Sequence, residues 1–126
     1  MKSIALTLMM LALGTAASSE QHAMTAGDLQ ELCAGTDHVS VNACRVYILG
    51  VTEGIAVGLR MAGGKSAGGG PCIPDGVSAQ KLEQTVKTKL EDLTANPSNR
   101  NLDASEFIGT VLVRAYPCTA GSVPGH

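Results

Sequence analysis

Aromatic side chains are scarce in this 126-residue sequence: it has no Trp, and Phe107, Tyr47 and Tyr116 are its only Phe and Tyr residues. So few ring faces argue against stacking a row of bases or sugars. Charge is also sparse. Charged residues make up 16%, the formal net charge is -2, and no run of one sign exceeds two neighbours. The chain therefore has no electrostatic handle for phosphate backbones or anionic membranes. Long apolar runs are missing too, the longest near-continuous one being the ten residues Ile4 to Leu13, well short of the roughly 20 needed to span a bilayer. What remains is a folding composition, 44% hydrophobic, with the length of one domain.

The first residues have a recognisable layout. A short basic start (Met1, Lys2, Ser3) precedes the apolar run, and the small residues Gly14 to Ser19 follow it, as in a secretory signal peptide. Cleavage is expected after Ala17, which leaves residues 18–126 as the mature chain and places it in the periplasm without a membrane anchor. Four cysteines remain, Cys33, Cys44, Cys72 and Cys118, and in an oxidising compartment two disulfides are the default. No C-x2-C pair is present and His22, His38 and His126 fall at no ligand spacing, so no metal site is assigned.

Periodicity and end signals predict four helices. Thr25 caps a short first helix with Asp28 three residues on, and Gly35 stops it. From about His38 to Ala62, Val41, Cys44, Ile48, Val51, Ile55 and Leu59 recur at steps of three or four, the helical period. Residues 63–74 (GGKSAGGGPCIP) form the main loop, because Gly frees the backbone and Pro removes donors. Ser78 caps a third helix carrying Leu82, Val86, Leu90 and Leu93. A fourth starts at Asp103, with Glu106 completing a capping box and Leu102 stapling onto Phe107; Ile108, Val111 and Leu112 line its face and Pro117 ends it. The expectation is an all-α bundle with a core over about 25–118 and a frayed tail over 119–126. If consecutive helices pack as antiparallel hairpins, Cys33 meets Cys44 and Cys72 meets Cys118, although four cysteines allow three connectivities.

Gly50, Gly54 and Gly58 recur every four residues on the long helix, with Tyr47 one turn earlier. Each Gly is about 1 kcal/mol worse than Ala inside a helix, so the stripe requires close approach of another backbone. Internal packing against the first or fourth helix is the first expectation, and a seam with a second copy or a partner is the other.

Catalytic chemistry is not evident. The stretch Gly58 to Ser66 suggests a phosphate loop, but the spacing ending at Lys65 is off by one residue and it follows a helix where a strand is required. No histidine has a nucleophile context, so neither a catalytic residue nor a cofactor is assigned. Glu53, alone in an apolar stretch, is expected to face solvent, or to pair with Arg45 or Arg60 if buried.

The ordered set of an export signal, LQELCAG, CRVYILGVTEG, PCIPDGVS, KLEQTVKTKL and AYPC resembles the Rap/Tai family of periplasmic immunity proteins over about Leu29 to Cys118. The positions that match as fold-defining are Cys33, Cys44, Tyr47, Gly50, Glu53, Gly54, Cys72, Pro74 and Cys118. The resemblance implies a small disulfide-bonded helical protein, often a homodimer, that protects against peptidoglycan-cutting amidase effectors of the type VI secretion system. It would act by binding the toxin and blocking its active site, without catalysis. It transfers no individual contact residue. The alternative is a general periplasmic stress protein similar to the small acid-activated chaperones, which are also disulfide-bonded helical bundles.

Overall fold

The computed structural model describes residues 23–63 and 69–118. They form four α-helices, α1 (Ala26–Ala34), α2 (His38–Met61), α3 (Ala79–Thr94) and α4 (Ala104–Ala115), with a 3-10 turn at Pro97–Asn101 before α4. No strand occurs among the described residues; a single antiparallel bridge joins Thr25 to Asp103. The signal segment, His22, the glycine-loop residues 64–68 and the tail 119–126 lie outside the described residues, as does His126.

Each helix starts where a side chain can accept the orphan amides of its first turn. The Thr25 hydroxyl accepts from the Asp28 amide, and the Asp28 carboxylate accepts from the Thr25 amide in return, a complete capping box. Ser78 caps α3 through the Lys81 amide. Asp103 caps α4 through the Ser105 and Glu106 amides. The reciprocal Glu106 bond expected there is not formed: the Glu106 side chain lines a surface groove instead. Asp37, which the sequence reading did not single out, caps α2 by accepting from Val39 and Ser40. The 3-10 turn was likewise not anticipated; Asn96 caps it through the Ser98 amide and Pro97 opens it.

The apolar lines read from the sequence meet in one core. Leu29 of α1, Cys44 and Ile48 of α2, Leu82, Val86 and Leu90 of α3, and Phe107, Ile108, Val111 and Leu112 of α4 are all buried together. The starts of α1 and α4 are tied by two backbone bonds, from the Ala26 amide to the Leu102 carbonyl and from the Ala104 amide to the Met24 carbonyl. Arg100 of the 3-10 turn reaches across to Gln30 and Glu31 of α1. Gly27 permits this approach, since a Cβ there would sit 3.1 Å from both the Cβ and the carbonyl oxygen of Arg100.

Both disulfides join the cysteines that the hairpin argument brings together. Cys33 is bonded to Cys44 and Cys72 to Cys118, with Cα separations of 5.0 and 4.9 Å. The first closes the turn between α1 and α2. The second clips the loop before α3 to the end of α4, where the Cys72 amide also donates to the Tyr116 carbonyl.

Candidate functional site

Two surfaces on opposite sides of the bundle are available for binding. The first is a groove of about 890 Å³ between α3 and α4. Its apolar floor comes from Leu93, Leu102, Phe107 and Val111. The rim is charged and polarised along the groove. Lys81 and Arg114 lie where α3 begins and α4 ends; Asp92 and Glu106 lie at the other end, with Lys89 bridging to Asp92 at 3.4 Å. Lys81, Arg114 and Glu106 make no ion pair with the described residues. Thr85, also in the lining, already donates its hydroxyl to the Lys81 carbonyl. The groove thus offers an apolar floor with unpaired cations at one end and an unpaired carboxylate at the other, a surface suited to a protein segment.

Helical geometry sets the groove away from α2. On α3, Lys81, Thr85, Thr88 and Asp92 share one side, while Glu83, about half a turn round from Lys81, ion-pairs with Arg45 of α2 at 2.8 Å. Glu83 is a buried carboxylate, with Lys87 at 3.9 Å as a second cation. The sequence reading missed this pair. Its signal was present, since Glu83 interrupts the apolar line of Val86 and Leu90 and so needs a cation on the helix that covers it. Arg45 therefore pairs with Glu83, and Glu53 is exposed, as expected of a solvent-facing residue.

The second surface is the outer face of α2, and here one expectation is corrected. Gly50, Gly54 and Gly58 are not packed against α1 or α4: all three are exposed, and a Cβ built at any of them meets nothing within 4 Å. Tyr47 parts company with them. It packs on the core, and burial together with the nearby Asp103 carboxylate raises its pKa above the usual phenol value. The physical reason is that α2 carries two apolar lines. Cys44 and Ile48 fill the core, with Val51 and Ile55 packed beside them, so the glycine line points outward. It is flanked there by Val39, Val46, Val57 and Met61, exposed by 79, 69, 42 and 84%. Gly109 of α4 is one point that does face α2: its Cβ position lies 3.6 Å from the Ile55 methyl, ordinary contact distance.

Among the described residues, no group of three or more His, Cys, Asp or Glu side chains could hold a metal ion. No helix among them is long and apolar enough to cross a membrane. A smaller concavity of about 330 Å³ lies between α2 and the loop before α3, lined by Ile55, Leu59, Pro71 and Ile73 with Glu53, Arg60 and Asp75 at its edge. Among the described residues, two helix caps also have shifted acidities. Hydrogen bonds from the Ser40 hydroxyl and amide, then the Val39 amide, hold the Asp37 carboxyl below the usual carboxylate value. The Ser105 hydroxyl and the Glu106 and Ser105 amides do the same for Asp103.

These features define a class: a small, disulfide-clipped helical protein whose distinctive parts are surfaces. The family model for Rap1a immunity proteins matches residues 25–118. The chain belongs to that immunity protein family, in agreement with the resemblance read from its motifs. No curated protein and no solved structure matches it.

Proposed function

We propose that this chain is a periplasmic immunity protein that binds a secreted peptidoglycan amidase and occludes its active site without catalysing a reaction. The family match over residues 25–118 carries the reading. Two further observations support it. Both cysteine pairs are oxidised, as an exported chain requires, and residues 1–17 have the composition of a cleaved export signal.

The groove between α3 and α4 is the face proposed to receive the effector. Its concave apolar floor would take an apolar side chain from the rim of the toxin's cleft. Lys81 and Arg114 would meet acidic groups there, and Glu106 a basic one. Interfaces of this kind draw most of their affinity from a few anchored residues and their orientation from charge.

The test is rescue from lysis. Cells that export each amidase effector encoded alongside this chain are co-expressed with it, and protection from one of them is expected. Failure against every such amidase removes the reading. With a protective pair in hand, Arg114→Glu and Lys81→Glu are expected to weaken binding by about tenfold or more while leaving the melting temperature unchanged; unchanged binding would move the contact to another face.

A further inference from the structure

We propose that the Cys72–Cys118 disulfide is a thiol-exchange site: a dithiol reductant attacks its Cys118 sulfur, and opening the bond loosens the cationic end of the α3–α4 groove while the bundle stays folded. The observation behind it is that the two disulfides have opposite surroundings. Cys44 is 1% exposed and Cys33 packs beside it against the core, and each is carried on a helix, α2 and α1. Cys118 is exposed, and neither it nor Cys72 belongs to a helix: Cys72 precedes α3 and Cys118 follows α4.

These surroundings decide which bond exchanges. A thiolate has to reach one sulfur of the bond it breaks, so access sets the rate. Cys118 offers that access, and the half-buried Cys72 becomes the leaving group. Reclosure differs as well. When Cys33–Cys44 is attacked, two packed helices hold the released thiolate beside the mixed disulfide, which favours return. The segments that carry Cys72 and Cys118 lack that helical frame and separate more readily. In the forward reaction the reductant's thiolate bonds to the Cys118 sulfur. The electron pair of the broken S–S bond leaves on Cys72, which takes a proton from water. The reductant's second thiolate then attacks the reductant's first sulfur, closes a disulfide there and releases the Cys118 thiolate, which is protonated in turn. Two electrons pass from the dithiol to the protein disulfide, and two protons complete the new thiols.

The fold accommodates the reduced form. The Cys118 Sγ lies 3.4 Å from the Gly70 carbonyl, an acceptor for the thiol that reduction creates. Pro71 is buried and Ile73 and Val77 pack on the core, so the loop into α3 stays attached after the covalent clip opens. What changes is the hold on the groove. Lys81 stands in the first turn of α3 and Arg114 in the last turn of α4, and the disulfide joins the segments next to those two turns. The bond from the Cys72 amide to the Tyr116 carbonyl remains, but a hydrogen bond near the surface opens far more readily than a covalent one. The inference concerns the shape of the groove and does not depend on what binds there.

Timed exposure of the oxidised mature chain to glutathione, followed by a maleimide quench and peptide mass spectrometry, tests the exchange. Cys72–Cys118 is expected to open at least about tenfold faster than Cys33–Cys44, with glutathione on Cys118 and the maleimide on Cys72. A smaller ratio, a reversed order or glutathione chiefly on Cys72 overturns the proposal. The effect on the groove is read by NMR relaxation in a chain carrying Cys72→Ala and Cys118→Ala, compared with wild type. Microsecond-to-millisecond exchange is expected to appear at the amides of Lys81, Thr85 and Arg114, on both walls of the groove, and to be absent from Leu29 and Ile48. No change, change confined to the neighbours of positions 72 and 118, or exchange spread evenly through all four helices overturns the link to the groove. Unfolding of this variant, seen by circular dichroism, overturns it too, because the opened form is required to stay folded.

Discussion

Replacing Gly50, Gly54 and Gly58 together by Ala should stabilise the isolated protein substantially. In a helix interior, Ala is favoured over Gly by about 1 kcal/mol, because Gly loses more backbone freedom on folding. Close packing usually prevents this gain, but a Cβ at each of these three positions meets nothing within 4 Å. Gly50 and Gly54 sit well inside α2, whereas Gly58 lies in its last turn, where fraying halves the benefit. The sum is about 2.5 kcal/mol. For a folded part of roughly 90 residues, 1 kcal/mol moves the melting temperature by about 4–8 °C, so the triple variant should melt about 10–20 °C higher. The assay is thermal unfolding followed by circular dichroism in dilute solution, with both disulfides intact. Gly27→Ala provides the contrast. Its Cβ would lie 3.1 Å from a backbone oxygen of Arg100, and a net loss of about 1 kcal/mol is expected from the displaced 3-10 turn. If Gly50→Ala or Gly54→Ala destabilises the dilute protein by more than about 0.5 kcal/mol, the outward orientation of the stripe is wrong and internal packing was the correct reading.

Three other outcomes are expected. In the chain-entropy account, removing the Cys33–Cys44 bond, which spans 11 residues, should cost about 3 kcal/mol, and removing the Cys72–Cys118 bond, which spans 46, about 4 kcal/mol; denaturant unfolding of the two double-Ala variants measures the order, and a reversed order contradicts it. Arg45→Ala leaves the buried Glu83 carboxylate with only Lys87 at 3.9 Å, and because Arg45 itself is half exposed the loss should be about 1–2 kcal/mol, read in the same experiment and largely absent when Glu83→Gln is already present. Asp37 and Asp103 have folded pKa values below the ordinary one, so their contribution is complete above about pH 4 and is lost as pH falls through the lower folded values. Tyr47 runs the other way: its folded pKa is raised, so stability should fall as pH rises above about 10, and a melting temperature flat across both ranges would contradict these shifts.

Local features were the legible part of this sequence. Thr25, Ser78 and Asp103 cap helices because a cap needs only a short polar side chain and the next three amides, all neighbours in the chain. The disulfide pairing was open to argument because each pair flanks one helical hairpin, which makes a distant contact follow from local order. The glycine stripe was harder. Periodicity finds a line of residues on α2 but cannot say which of two apolar lines turns inward; that depends on how Ile48 and Cys44 fit the side chains of the other three helices. Glu83 was missed for a related reason, since its partner Arg45 lies 38 residues away on a different helix. The groove was missed because its lining comes from positions of α3 and α4 that each look like ordinary solvated helix surface.

The two faces make different demands on the fold, and the sulfur bridges are distributed accordingly. The groove exists only while α3 and α4 keep their spacing. The Cys72–Cys118 bond and the Cys72 to Tyr116 hydrogen bond hold the loop leading into α3 against the end of α4, beside Arg114 at the groove's cationic end. The outer face of α2 needs no such registration, because every residue on it comes from one helix whose inner side is fixed by Cys44 and Ile48 in the core. A two-part surface has to be clamped at its ends to present a constant shape, whereas a single helix keeps its own spacing through backbone hydrogen bonds. A protein with few rings and little charge can therefore keep the shape of a two-helix groove constant by a covalent clip, and leave the shape of a single-helix face to the regularity of the helix itself.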